Sequence, residues 1–290
     1  SVSTFTIPPV DSPIVIEANG QSCLPKASCL PLVFRKHFSF FRYYVDRKRK
    51  VAFVLNPKVG TTFIRKCLVD AFAEFHSHAD ASNGRYRLIH FARKMPVAPL
   101  VDYFNFLRHP DEYRIYSIVR NPYKRLVSGW KDKFYDGHFA SDSGSVSAYP
   151  RSIRKGVLAE VRAFAKAKNL PGGENNTLVA FSTFVEFIAS GINGKRNHHW
   201  DRQCDVLFYS NIPYTQIFQM EKGMDTALYP VFKDTEVTED WIRQKAGRPS
   251  NTSSVAKDSP MTSELAERIY EIFEEDFVSF GYAKDDWKNL

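Results

Sequence analysis

Val51–Leu68 reads VAFVLNPKVGTTFIRKCL, and this stretch decides the fold. Val51–Asn56 is an unbroken apolar run of the kind found in strands buried on both faces of a parallel sheet. A Pro-Lys-Val-Gly turn follows. A helix is then predicted from Thr61 to Phe75, with Ile64, Cys67, Leu68, Ala71 and Phe75 on one side. A helix start carries free N–H groups and the positive end of the peptide dipoles, a ready site for phosphate. Gly60 lets backbone approach an anion closely, Thr61 and Thr62 add hydroxyl donors, and Lys58 adds a positive charge. The loop differs from the nucleoside triphosphate P-loop, in which Lys follows the closing Gly, because here Lys58 precedes Gly60. No acidic strand end stands out to hold Mg²⁺, which argues against a metal-assisted kinase.

A second unit of the same type lies at Ser117–Phe134, SIVRNPYKRLVSGWKDKF. The strand Tyr113–Arg120 ends on Arg120, Pro122 suits the first turn of a helix over 123–134, and Ser128 lies eight residues past Arg120. Arg offers two parallel hydrogen bonds to a phosphate and Ser offers a hydroxyl. Further helices are predicted at Ser152–Lys168, Ser182–Ser190 and Thr262–Phe280. Short strands are predicted at Asp205–Tyr209 and Thr215–Met220, and a surface loop at 136–150. Alternating strands and helices give an α/β fold with a central parallel sheet flanked by helices in three layers. We divide the chain into an N-terminal arm, 1–50, and one domain, 51–290.

The composition is that of a globular protein: 290 residues, 43% apolar and 25% charged. The 40 Lys+Arg against 32 Asp+Glu leave a net charge of +8, which calls for an anionic partner. No apolar run reaches the roughly 18 residues of a membrane span. Among Cys23, Cys29, Cys67 and Cys204 there is no C-x-x-C pair, so no zinc site is expected, and His198, His199 and Cys204 lack a fourth ligand. Cys23 and Cys29 are spaced to close a small disulfide loop or to stay as two thiols. Asn175 and Asn251 open glycosylation sequons. The run Arg47–Lys50 beside Tyr43-Tyr44 reads as the solvated lead-in to a strand, with contact to nucleic acid or membrane as the alternative.

PKVGTT followed by IVRNPYKRLVSGW resembles the 5′-phosphosulfate and 3′-phosphate loops of sulfotransferases that use 3′-phosphoadenosine 5′-phosphosulfate (PAPS). The R-x-P-x-x-R-L-x-S pattern is similar to that of the Golgi carbohydrate sulfotransferases, the chondroitin/dermatan 4-O and heparan/uronyl 2-O groups. HHW at 198–200, the acidic residue of QIFQMEKG and the closing ERIYEIFEEDFVSFGY resemble segments of the 4-O group. The Cys-Pro-Cys that this group carries after His-Trp is absent.

The resemblance implies a P-loop-like fold and transfer of a sulfuryl group to a carbohydrate hydroxyl, releasing 3′-phosphoadenosine 5′-phosphate (PAP), with no metal. It places the 5′ side of the donor on Lys58, Val59, Gly60, Thr61, Thr62 and Phe63, and the 3′ phosphate on Arg120 and Ser128. Lys58 would neutralise the departing phosphate. His90, in YRLIHFARK between the two loops, is the expected general base, and His199 is the second choice or an acceptor contact. The acceptor could be an anionic glycan; a small alcohol, phenol, lipid or tyrosyl peptide is the alternative. A basic nucleic-acid-binding protein is a more distant one, since no nucleic-acid-binding module is recognisable. The resemblance implies the Golgi lumen where a membrane anchor precedes the stretch, and the cytoplasm otherwise.

Overall fold

The computed structural model describes residues 28–35, 37–75, 87–88, 96–97, 100–131, 134, 151–174, 179–191, 197–246 and 260–290. Its centre is a four-stranded sheet of β1 (Tyr43–Asp46), β2 (Val51–Val54), β5 (Arg114–Val119) and β6 (Gln216–Gln219), in that order. β3 (Arg87–Leu88) and β4 (Pro96–Val97) form a separate two-stranded ladder. β2, β5 and β6 run parallel, with Val54 beside Ser117 and Val119 beside Gln219. β1 is antiparallel to β2, so residues that the sequence assigns to the arm supply the edge strand.

Each strand divides its side chains between two layers, as the period of two requires. Ala52, Val54, Ile115, Val119 and Ile217 face one core, closed by α2 (Leu100–Arg108), α6 (Gln203–Leu207) and the segment around Leu32. Val51, Phe53, Leu55, Tyr116, Ile118 and Phe218 face the other, closed by α1 (Thr61–Phe75), α7 (Met224–Phe232) and α8 (Glu239–Ala246). A third cluster joins α3 (Pro122–Trp130), α4 (Arg151–Ala167), α5 (Phe181–Ser190) and α9 (Ser263–Phe280). This is the three-layer α/β arrangement read from the sequence. The hydroxyl of Ser117, inside the central strand, donates to the Val54 carbonyl at 2.8 Å, so the buried polar group is satisfied.

One element is corrected. Asp205–Tyr209 reads as a strand, yet Asp205–Leu207 lie in the short helix α6, which ends on Phe208 in the left-handed conformation (φ 49°), and Tyr209 follows in a turn. The cause is tertiary. The buried carboxylate of Asp276 on α9 accepts from the N–H groups of Gln203 (2.7 Å) and Cys204 (2.9 Å), fixing a helix start where the apolar run VLFY signals a strand. Elsewhere the boundaries shift by a residue or two, apart from α3, whose α-helical geometry stops at Trp130. The 136–150 loop, both sequons and Cys23 lie outside the described residues.

Candidate active site

Because β2, β5 and β6 are parallel, their carboxyl ends open on one edge of the sheet, where ligands bind in open α/β folds. Three segments leave from that edge: Leu55–Gly60, Arg120–Asn121 and Met220–Glu221.

The first is the Pro-Lys-Val-Gly turn into α1. Lys58 and Gly60 both have positive φ, 68° and 76°. Gly is at ease there, whereas Lys58 is held against its preference, the kind of strain that clusters at functional sites. Val59 and Phe63 are buried in the core, so their side chains anchor the turn and only their backbone can face a ligand. Thr62 is exposed and Thr61 half-buried. The Ile64 N–H donates to Gly60 O at 3.1 Å, which leaves the N–H groups of Thr61, Thr62 and Phe63 without an acceptor inside the helix itself.

The second segment meets the first directly. Arg120 Nη1 donates to the Lys58 carbonyl at 3.1 Å. Burial lowers the Arg120 pKa, and nearby Glu221 and Tyr282 act in the opposite direction. Asn121 caps α3, its Oδ1 accepting from the N–H of Tyr123 (3.0 Å) and Lys124 (3.4 Å). Asn121 Nδ2 donates to Asp286 at 2.9 Å, and its N–H donates to Glu221, so β5, β6 and the C-terminal turn meet at one residue. Glu221 also accepts from the Tyr282 hydroxyl at 2.9 Å.

Two further residues hold these segments together. Arg125 is buried and donates to three carbonyls, of Pro57 (3.2 Å), Asp201 (2.7 Å) and His198 (3.0 Å). Desolvation brings its pKa down to about 10, so it stays charged at neutral pH beneath the turn. Gln203, fully buried, accepts from the Arg120 N–H (3.0 Å) and from Asn56 Nδ2 (2.7 Å), and donates to Arg120 O (2.8 Å). Arg125 is the second Arg of the R-x-P-x-x-R pattern, a visible signal whose role the sequence left open. Gln203 carries no local signal.

The remaining predicted residues are placed unevenly. Ser128 is half-buried on α3, and the adjacent Gly129 packs close to the His199 carbonyl, since a β-carbon there would stand 3.7 Å from it. His199 is buried, with its ring 4.3 Å from that of His198. His90 lies outside the described residues. Among the described residues no group of three or more His, Cys, Asp or Glu is placed to hold a metal ion. The basic run is largely paired within the fold: Arg47 with Asp102, Arg49 with Asp46 and Lys50 with Glu112, which accounts for it as a structured lead-in to β2.

The chain is similar to known proteins. Carbohydrate sulfotransferase 10 of Homo sapiens is 26% identical over 278 residues, covering 86% of this chain and 69% of its own length. The Gallus gallus protein of that name is 27% identical over 277 residues, with the same coverages. Carbohydrate sulfotransferase 8 of Mus musculus is 23% identical over 257 residues, covering 84% of this chain and 57% of its own. No solved structure matches. The model of the Sulfotransferase family matches residues 41–283, from the lead-in to the edge strand through the turn after α9 and including all three segments at the sheet edge. This chain is an enzyme of the sulfotransferase class and belongs to the Sulfotransferase family.

Proposed function

We propose that the enzyme transfers a sulfuryl group from PAPS to a hydroxyl of a carbohydrate acceptor, releasing PAP. The observation that carries this reading is the hydrogen bond from Arg120 to the Lys58 carbonyl, which sets two phosphate-type units side by side on one sheet edge. A nucleotide with phosphates at both 5′ and 3′ positions needs two such units, and a nucleoside triphosphate does not. The names of the relatives support the carbohydrate acceptor.

The donor set fits such a bisphosphorylated nucleotide: the α1 start, the two Thr hydroxyls and Lys58 for the 5′ side, Arg120 and Ser128 for the 3′ phosphate. PAPS supplies the activated sulfuryl group. The bond from sulfur to the phosphate oxygen breaks as the bond from sulfur to the acceptor oxygen forms. Lys58 neutralises charge gathering on the leaving phosphate oxygen, a role that costs no reorganisation in a preformed site. His90 takes the acceptor proton, on the strength of its place in the sequence between the two loops; His199, close to α3, is the second candidate. No metal is needed for this chemistry.

A thermal-unfolding titration tests the donor half. PAP at about 100 times its Kd should stabilise the fold by about 2.7 kcal/mol, while ATP with Mg²⁺ should do much less. Equal stabilisation by both, or by neither, overturns the reading.

A further inference from the structure

The two phosphate loops are separated in sequence by the length of α1, the β3–β4 segment and α2, yet they must hold one nucleotide at two points. Their relative position therefore has to be set by something that touches both. Arg125 does this from the 5′ side, through the Pro57 carbonyl. On the 3′ side the backbone of Arg120 is held at both of its polar groups by one side chain: its N–H donates to Gln203 Oε1 and its carbonyl accepts from Gln203 Nε2. The same Oε1 accepts from Asn56 Nδ2, two residues ahead of Lys58. Asn56 has a second anchor, Nδ2 to the Ile118 carbonyl at 3.1 Å. Gln203 is fixed in turn by its own N–H on the buried Asp276 carboxylate, so α9 bears on both loops through it.

A primary amide suits this position because it is donor and acceptor at once and carries no charge. A carboxylate would leave the Arg120 carbonyl without a donor, and an apolar side chain would leave both backbone groups of Arg120 without their side-chain partner.

We infer that Gln203 is a positioning residue of the donor site, holding Arg120 in register with the Asn56–Lys58 turn and so setting the enzyme's preference for a 3′-phosphorylated nucleotide. This rests on the donor-site reading above. Since Asn56 keeps its Ile118 anchor and Arg120 depends on Gln203 at both backbone groups, loss of Gln203 loosens the 3′ side more than the 5′ side.

The test is the ratio of affinities for PAP and for adenosine 5′-monophosphate, measured by calorimetry on the full chain. In Gln203→Met, PAP affinity should fall by about tenfold or more, the scale of one charge-assisted contact, with the monophosphate changed much less. Gln203→Glu keeps the size and the acceptor and should lower the ratio as well, which keeps the question open to measurement if the Met variant does not fold. Thr183→Val serves as control: it removes the hydrogen bond of the buried Thr183 to the Pro171 carbonyl away from the site, so it should lower the melting temperature and leave the ratio unchanged. Gln203 variants that fold and retain the wild-type ratio overturn the inference. Wild type that does not prefer PAP overturns the donor reading instead.

Discussion

Lys58 combines the charge that the proposed chemistry wants with a backbone conformation that Lys disfavours, since left-handed φ costs an L-residue about 1–2 kcal/mol. Lys58→Gly removes the charge and the strain together, and the flexibility of Gly offsets part of the gain. Its melting temperature should stay level or rise while turnover falls by orders of magnitude; a clear loss of stability with turnover intact would remove Lys58 from the chemistry. The residue types of the proposed donor site stand in the sequence: Lys58, Gly60, Thr61 and Arg120 lie in the two loops. Their support was harder to see. Gln203 is one amide in a segment without pattern, and its value comes from a fold that brings residues 56, 120 and 276 around it. The positive φ of Lys58 was equally hidden, because a Gly two residues on supplies an obvious turn.

At the level of elements, capping carries much of the definition. α3 starts on Asn121, whose carbonyl oxygen caps two N–H groups while its amide reaches Asp286. Asn121→Ala should destabilise the fold by about 1–2 kcal/mol, read as a lowered midpoint in thermal or denaturant unfolding. No change would mean that the cap and the C-terminal turn are dispensable. The same logic made α3 readable through Pro122 in its first turn, and local caps also bound α9, where the Thr262 hydroxyl accepts from Leu265 N–H and Gly281 closes the helix with φ 67°. It failed where the cap comes from a distant part of the chain. α6 has no side-chain cap of its own at Arg202, and the carboxylate that fixes its start sits on α9, so the four-residue apolar run VLFY read as a strand.

Across the whole molecule, the alternation of side chains along β2, β5 and β6 buries two cores and leaves the carboxyl edge to the site. The parallel order was foreseeable from near-continuous apolar strands; the antiparallel edge strand β1 was not, because its charged sequel, Arg47–Lys50, resembles a solvated run until its ion pairs are seen. Those pairs also take much of that run's charge out of the search for an anionic partner. Part of the rest lies at the carboxyl edge of the sheet, on Lys58, Arg120 and the buried Arg125, where we propose that the donor binds. The measurement that bears most directly on this account is transfer of labelled sulfate from PAPS to a panel of glycans, phenols and tyrosyl peptides, with His90→Ala in parallel. We predict label in a glycan hydroxyl, and in the variant a rate lower by about 10²–10⁴ with PAP binding intact. Label confined to a phenol or peptide, or no transfer to any glycan by an enzyme that binds PAP, would contradict it.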